Sequence, residues 1–198
     1  MFAILHGNCC IVQIKRFFPD RLPIFFQRMI ISHPLEQQMG CMDLICGGVL
    51  ERYPRLRMAF LEAGGLWVPY WLARLDEFYG KIAHLVPKLK MKPSEYFRRQ
   101  CFCSAEPDDI SLKVAASLNA DDFLMWASDY PHYDCTFPGA VEELREHGAA
   151  LPESAQRKIM GENAARCYWT LIAECSTATR GPSSRRSPGP EGSRINRE

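Results

Sequence analysis

Three polar side chains follow apolar runs of this sequence. His6 follows FAIL, Glu62 follows LRMAFL, and Asp129 comes one residue after FLMWA. If these runs are strands of a parallel α/β sheet, their carboxyl ends lie on one face, where such folds build active sites. An imidazole or a carboxylate is costly to bury there unless it binds a metal, a substrate or another of these groups. A single His at a strand end is more often structural, but three such groups together predict a site.

The loop at residues 62–65 and the cysteines give no specific prediction of a binding or catalytic site. The loop EAGG at residues 62–65 permits a tight turn, yet it lacks the G-x-G-x-x-G spacing and the Walker lysine of a phosphate-binding loop. The nine cysteines include no C-x-x-C pair, and most lie in apolar runs, where cysteine behaves as a small hydrophobe. We therefore expect reduced thiols rather than disulfides or a zinc knuckle, and a cytoplasmic protein.

The apolar runs alternate with stretches whose apolar residues recur at helical spacing. The pattern predicts four strands, at residues 2–5, 56–61, 101–104 and 123–127. It predicts helices at residues 34–51, 67–79, 110–118, 139–147, 153–160 and 163–173, and a short helical turn from Pro93. Pro34 and Pro93 suit helix entries, and Asp108 or Asp109 suits an N-cap. Four β units separated by helices favour a parallel α/β sheet.

Length and composition limit the domains and the partners. The chain has 198 residues, is 47% hydrophobic and carries a net charge of +1, which predicts one soluble domain without strong attraction to nucleic acid or anionic membranes. No apolar run reaches the roughly 18–20 residues of a membrane span. Residues 1–174 are expected to form the domain, and the Ser/Arg/Pro-rich residues 175–198 a disordered tail. The expected partner is a small-molecule substrate, with neither nucleic acid nor membrane.

The predicted domain is short for a complete barrel. It holds four or five β units, whereas a (β/α)8 barrel needs about 250 residues. The pattern alone therefore leaves a small open sheet and half a barrel as alternatives. A flavodoxin-type binding protein is disfavoured, because no phosphate-binding loop is present.

Four longer motifs carry a family resemblance. They are GGVLERYPRLRMAFLEAGGLWVPYWLARLDEFY at residues 47–79, KPSEYFRRQCFCSAEPDD at 92–109, MWASDYPHYD at 125–134 and KIMGENAARCY at 158–168. In order and separation, they closely resemble the amidohydrolase-related family that includes aminocarboxymuconate semialdehyde decarboxylase. AILHGN at residues 3–8 fits the family's fifth-strand His motif more loosely. The resemblance implies the C-terminal half, about strands five to eight, of a metal-dependent (β/α)8 TIM barrel.

The same resemblance implies a divalent metal, commonly zinc. The family's usual ligands are two His of an H-x-H motif on the first strand, a His after the fifth and an Asp after the eighth. Matched position by position, His6 is the fifth-strand ligand and Asp129 is the eighth-strand Asp. Where the decarboxylase branch has a catalytic His after the sixth strand, this sequence has Glu62. That departure argues against decarboxylation by the same mechanism.

The residue types agree with such a site. Imidazole nitrogen and carboxylate oxygen suit an ion such as zinc, which lowers the pKa of a bound water toward about 7. Asp129 would bind the metal and take the proton of that water, while Glu62 would orient substrate or shuttle protons. His132 would contact substrate or support a metal ligand. A purely structural turn at residues 128–132 explains His132 equally well.

The ligand set implied by the resemblance is incomplete in this sequence. No H-x-H occurs among its five His, so weak metal binding by this chain is expected. Half a barrel also exposes two sheet edges and the apolar barrel interior, so we expect a chain that is marginally stable, a homo-oligomer, or a truncated gene product. The leading hypothesis is metal-dependent hydrolysis of a small organic acid, cyclic ester or amide. The alternatives are a non-oxidative decarboxylase of the same family and a non-catalytic half-barrel interaction protein.

Overall fold

A four-stranded parallel sheet lies at the centre of the structure, a computed structural model that describes residues 2–5, 22–133 and 135–168. Its strands are β1 (Phe2–Leu5), β2 (Arg57–Phe60), β3 (Cys101–Ala105) and β4 (Leu124–Trp126), hydrogen-bonded in the order β1-β2-β3-β4. All three neighbouring pairs are parallel. The chain divides into two units, Met1–Tyr168 and Trp169–Glu198, and the described residues belong to the first. The predicted tail at residues 175–198 lies outside the described residues.

Helices in the described part of the chain connect the strands and cover the sheet. They are α1 (Phe25–Cys46), α2 (Val49–Arg52), α3 (Trp67–Ile82), α4 (Pro93–Gln100), α5 (Ile110–Val114), α6 (Ala140–Gly148) and α7 (Glu153–Arg157). A 3-10 turn at Ala83–Leu85 follows α3, and a π-turn at Lys158–Glu162 leads from α7 into the helical residues 163–168. Of the helices described, none is long and apolar enough to cross a membrane.

The two faces of the sheet carry alternate side chains of each strand. One face packs against the helices and contributes to the main core Met58, Phe60, Cys101, Cys103 and Leu124. The other face forms a smaller core from Ala59, Phe102 and Met125, together with Cys167. Strands that are buried on both faces have continuous apolar sequences. The apolar runs accordingly predicted β2, β3 and β4 to within one residue at each end, and the run FAIL has the same bounds as β1.

The predicted start of the first helix at Pro34 is wrong. The helix α1 begins at Phe25 and contains Pro34 in its interior. The prediction placed Pro34 in the first turn because proline has no backbone N–H to donate. The helix continues through it, and the carbonyl of Ile30 lacks the donor that another residue at 34 would supply. The helix ends at Cys46, before Gly47 and Gly48, and Gly48 has φ 76°.

The helix α5 begins as predicted but ends earlier. The side chain of Asp109 caps it, because Oδ1 accepts a hydrogen bond from the backbone N–H of Ser111 at 2.7 Å. The regular helix ends at Val114 rather than at Leu118, and turns follow it. In those turns Asn119 has φ 51°, and the N–H of Ala120 donates to the carbonyl of Ala115 at 2.8 Å. A left-handed residue followed by a backbone hydrogen bond that reaches back five residues is typical of a helix C-terminus.

Buried cysteines allow a test of the core. Cys41, Cys101 and Cys103 are at most 1% exposed, and burial raises the pKa of all three thiols. Because the thiolate is the reactive form, we expect iodoacetamide at about pH 8 to label these cysteines only after denaturation. Peptide mass spectrometry measures the labelling, with the half-buried Cys135 as the reactive control in the native protein. Equal labelling of Cys101 and Cys135 in the native protein would contradict this packing.

Candidate functional site

Glu62, Asp129 and His132 meet beyond the carboxyl ends of the strands. Glu62 follows the end of β2 by two residues, and Asp129 follows the end of β4 by three. One possible ligand atom from each of the three side chains lies within 4.8 Å of the other two. Since β3 separates β2 from β4 in the sheet, the loops after these strands bring the side chains together. Three residues that the sequence singled out therefore share one small volume.

The peptide between Leu61 and Glu62 determines where the first carboxylate begins. Glu62 has φ 64°, a left-handed conformation that residues other than glycine rarely adopt. The N–H of Glu62 donates to Oγ of Ser104 at 3.1 Å, and the carbonyl of Leu61 accepts from Nε2 of Gln37 at 3.0 Å. Gln37 belongs to α1 and Ser104 to β3, so three elements together position Glu62.

The glycines after Glu62 allow close packing of the loop. The N–H of Gly65 donates to Oδ2 of Asp109 at 3.1 Å, and the same carboxylate accepts from the N–H of Ser111. A Cβ on Gly65 would lie 2.5 Å from Oγ of Ser111 and 2.6 Å from Cδ2 of Leu124. Gly64 has φ 65°. Packing and backbone conformation thus account for these glycines without a bound phosphate.

Gly65→Ala is expected to destabilise the fold by about 1–3 kcal/mol, because the added methyl group overpacks the loop. Gly80→Ala is the matched control. Gly80 is an exposed residue of α3, and a Cβ there meets none of the described atoms within 4 Å. Its replacement should stabilise the helix by up to about 1 kcal/mol. Urea denaturation measures the free energy of unfolding of both variants, and a stable Gly65→Ala protein would contradict the described packing.

Asp129 lies in a turn that its own hydrogen bonds close. Its φ is 59°, also left-handed. Its Oδ2 is 2.8 Å from Nδ1 of His132, and its carbonyl accepts from the N–H of His132 at 3.0 Å. The N–H of Thr136 donates to the carbonyl of Ser128 at 3.2 Å. The side chain of Asp129 is 21% exposed and that of His132 is 50% exposed, so a solute can reach both.

The donor set fits a divalent cation. Two carboxylates and an imidazole, with atoms within 4.8 Å of one another, offer the oxygen and nitrogen ligands that suit zinc or manganese. Two neighbouring carboxylates repel each other unless a cation or a proton lies between them. Glu62 and Asp129 also have positive φ, a strained conformation that proteins concentrate at functional sites. Three protein ligands would leave positions for water or substrate.

The predicted metal ligand His6 lies outside the described residues. Its role, and the pairing of His6 with Asp129 on one cation, therefore stay predictions. The described part of β1 ends at Leu5, whose register partner is Phe60, the last residue of β2. The strands β1 and β2 thus end at the same level of the sheet.

The sequence did not reveal the residues that support Glu62. Ser104 could have been found, because it is a polar residue near the end of an apolar run, like the three residues that were singled out. Gln37 gave no comparable signal, since it is one of several polar residues in a helix 24 positions from the carbonyl it contacts. Asp109 was predicted only as an N-cap, and its second contact with Gly65 depends on the tertiary fold.

Comparisons with known proteins give both family and structural matches. A sequence model described as amidohydrolase matches residues 31–169. The chain is similar to 2-amino-3-carboxymuconate-6-semialdehyde decarboxylase of Dictyostelium discoideum, with 25% identity over 148 residues, or 73% of this chain and 40% of that protein. It is also similar to the structure of 5-carboxyvanillate decarboxylase LigW from Sphingomonas paucimobilis, with 30% identity and a TM-score of 0.61, over 79% of this chain and 46% of the other.

Two further solved structures share the fold at 19% identity. An amidohydrolase from Mycobacterium avium subsp. paratuberculosis K-10 gives a TM-score of 0.66, over 84% of this chain and 41% of that one. A dihydroxybenzoic acid decarboxylase from Polaromonas sp. JS666, with bound manganese and the inhibitor 2-nitroresorcinol, gives a TM-score of 0.56, over 72% and 42%. The chain thus spans between 40% and 46% of the length of these four proteins.

Proposed function

Because this chain belongs to the amidohydrolase family, whose model matches residues 31–169, we propose that it carries part of a metal site for non-oxidative decarboxylation of a small aromatic or unsaturated carboxylic acid. The convergence of Glu62, Asp129 and His132 within 4.8 Å carries this proposal. The reaction class comes from the similar proteins, since three of them are named decarboxylases.

The fold agrees with the sequence-based prediction, whereas the relatives support the alternative reaction better than the leading one. The fold prediction is confirmed, because the parallel sheet with its helices matches part of the (β/α)8 barrel of amidohydrolases. Hydrolysis, the leading hypothesis from the sequence, is less well supported than its alternative, decarboxylation. The substitution of Glu62 for the family's catalytic His argued against decarboxylation by the same mechanism, and the named reactions of the relatives outweigh it.

Glu62, Asp129 and His132 are the described residues that would hold the metal. The sequence predicts zinc, whereas the similar dihydroxybenzoic acid decarboxylase has bound manganese, so we propose a divalent metal that is one of these two. Bound here, it would supply Lewis-acid stabilisation of the negative charge that develops on the substrate. The residues themselves must orient the substrate and supply a proton.

Decarboxylation exchanges a carboxyl group for a proton. The hydrogen bond between Nδ1 of His132 and Oδ2 of Asp129, 2.8 Å long, fixes the two side chains relative to each other, and a carboxyl oxygen that does not bind the metal can carry the proton. Glu62 has a carboxylate oxygen within 4.8 Å of both partners. We assign to Glu62 the orientation of the substrate or the relay of that proton, the two roles that its position allows.

Exposed aromatic side chains near Asp129 favour the proposal of a planar substrate. Tyr130 follows Asp129 directly, and the ring centroids of Tyr130 and Phe137 are 4.6 Å apart. Tyr130 is 62% exposed and Phe137 is 65% exposed. Exposed rings on the turn that carries the metal-binding carboxylate offer a surface on which a planar substrate can stack.

A product assay tests the proposed reaction. The 198-residue chain is incubated with Mn²⁺ or Zn²⁺ and with 5-carboxyvanillate or dihydroxybenzoate, and CO₂ is measured. Lactone and amide substrates are assayed in parallel. We expect CO₂ release that depends on the metal and stops when EDTA is added. Metal-dependent hydrolysis without CO₂ release would reinstate the hydrolase, and absence of both reactions and of metal binding would favour the non-catalytic half-barrel.

The cellular location and the assembly state are also proposals. We propose a cytoplasmic location, because the six cysteines in the described part of the chain are free, as is usual in a reducing compartment. We propose a homo-oligomer, because the sheet formed by residues 2–5, 22–133 and 135–168 has two outer strands, β1 and β4, whose edges a second copy would protect. Light scattering after size exclusion measures the mass, and a monomer at micromolar concentration would contradict the oligomer.

A further inference from the structure

The peptide between Leu61 and Glu62 is held by side chains at both of its polar atoms. The strand β2 ends at Phe60, one residue before this peptide begins. The carbonyl of Leu61 accepts from Nε2 of Gln37 at 3.0 Å, and the N–H of Glu62 donates to Oγ of Ser104 at 3.1 Å. These contacts satisfy both backbone groups of this partly buried peptide.

The two supporting side chains are buried, and they come from separate elements. Gln37 is 2% exposed and Ser104 is 8% exposed. They lie 24 and 42 residues from their partners. Polar groups so buried are costly unless they are hydrogen-bonded. Two fixed points on one planar peptide also stop its rotation, because both its carbonyl and its N–H are attached to rigid elements.

Rotation of this peptide would move the Glu62 carboxylate. The plane of the peptide sets ψ of Leu61 and φ of Glu62, and that φ is 64°, outside the usual region for a residue with a Cβ. If the plane relaxed, φ of Glu62 would change and its side chain would leave the position where its oxygen lies within 4.8 Å of Asp129 and His132.

We propose that Gln37 and Ser104 are positioning residues that hold Glu62 in the geometry needed to bind the divalent cation. This inference rests on the proposed metal site and adds residues that do not touch the cation. Gln37 acts on the carbonyl side of the peptide and Ser104 on its N–H side. Loss of either hydrogen bond lets the peptide plane between Leu61 and Glu62 rotate. A substitution that removes the bond from Gln37 or the bond to Ser104 should therefore weaken metal binding.

A matched control exists at the opposite end of the same strand. Gln100 is also fully buried, and its Nε2 donates to the backbone carbonyls of Tyr53 and Leu56, before β2 begins. Gln100→Leu therefore removes the same kind of side-chain contact to a carbonyl as Gln37→Leu does, without touching the peptide at Glu62. The two variants separate a general loss of stability from a loss of positioning.

The experiment measures Mn²⁺ affinity by calorimetry on the full chain, with the melting temperature of each variant recorded. We expect Ser104→Ala and Gln37→Leu to bind Mn²⁺ about tenfold or more weakly, which is the effect of losing a residue that orients a metal ligand. Gln100→Leu should bind like the unmodified protein even if it melts earlier. Ser104→Thr keeps the hydroxyl and should restore the affinity.

Glu62→Gln separates failure of this inference from failure of the proposed site. If Glu62→Gln binds Mn²⁺ weakly while Ser104→Ala and Gln37→Leu bind it normally, Glu62 needs no positioning and the inference is overturned alone. If Gln100→Leu weakens binding as much as Gln37→Leu does, the effect is one of stability, which also overturns it. If Glu62→Gln binds Mn²⁺ normally, Glu62 is no ligand, and both the inference and that part of the site are wrong.

Discussion

Asp129→Asn is expected to reduce metal-dependent CO₂ release by more than about 100-fold. Replacing a residue that only orients a metal ligand already lowers metal affinity or activity about 10–100-fold, and Asp129 is proposed to be a ligand itself. The substitution removes the charge and keeps the shape. Asparagine tolerates positive φ, and φ of Asp129 is 59°. Its amide oxygen can also still accept a hydrogen bond from Nδ1–H of His132, so the turn should survive.

The control for Asp129→Asn is Asp43→Asn. Asp43 is an exposed residue of α1, and its replacement makes the same change of charge outside the proposed site. Circular dichroism and the melting temperature show whether each variant is folded. Turnover of Asp129→Asn within a few fold of the unmodified chain would rule out Asp129 as a ligand and as a proton carrier.

Phe97→Ala is expected to destabilise the fold by about 3–5 kcal/mol, which is the usual loss for a buried phenylalanine. Phe97 is 0% exposed. Its ring stacks on that of Phe60, with centroids 5.7 Å apart, and is nearly perpendicular to that of Phe123, with centroids 5.3 Å apart. Phe60 ends β2 and Phe123 precedes β4, so the ring supports both strands whose following loops carry the site.

Urea denaturation measures this effect, with Phe78→Ala as the control. Phe78 is 40% exposed on α3 and loses less apolar contact when it is truncated. We expect the midpoint of Phe97→Ala to fall far below that of Phe78→Ala. Equal midpoints would mean that the Phe60–Phe97–Phe123 cluster is not the centre of the core. Metal binding of Phe97→Ala should fall only as far as the protein unfolds.

The strands could be predicted because burial on both faces leaves a direct mark in the sequence. RMAF and CFCSA are apolar or small at nearly every position, and the structure buries all of β3. The start of α1 could not be predicted in the same way. The local preference of Pro34 for a first turn conflicted with the helix that precedes it, and nothing in the sequence showed which would prevail.

The candidate site was partly predictable for a geometric reason. In a parallel sheet the residues after the strands lie on one face, so Glu62 and Asp129 could be expected to approach each other. The contacts of Gln37 and Ser104 could not, because they join residues 24 and 42 positions apart. The positive φ of Glu62 was also hidden, since glycine is the residue that usually signals such a conformation.

The reaction class was harder to predict than the site. Metal-dependent hydrolysis and decarboxylation both use carboxylates, an imidazole and a divalent cation, so Glu62, Asp129 and His132 suit either reaction. In hydrolysis a water attacks a carbonyl of the substrate and the leaving heteroatom takes a proton, whereas in decarboxylation a carbon takes the proton as CO₂ leaves. Which of the two occurs depends on a substrate the sequence does not specify. The named reactions of the relatives therefore weigh more here than the residue types.

The most direct test of the central claim is the anomalous scattering of zinc or manganese in crystals of the full chain grown with the metal. The account predicts a peak at about 2.0–2.2 Å from atoms of Glu62, Asp129 and His132, whose ligand atoms already lie within 4.8 Å of one another. A peak elsewhere, for example on the carboxylates of Asp121 and Asp122 that pair with Lys158, or no peak at all, would contradict it.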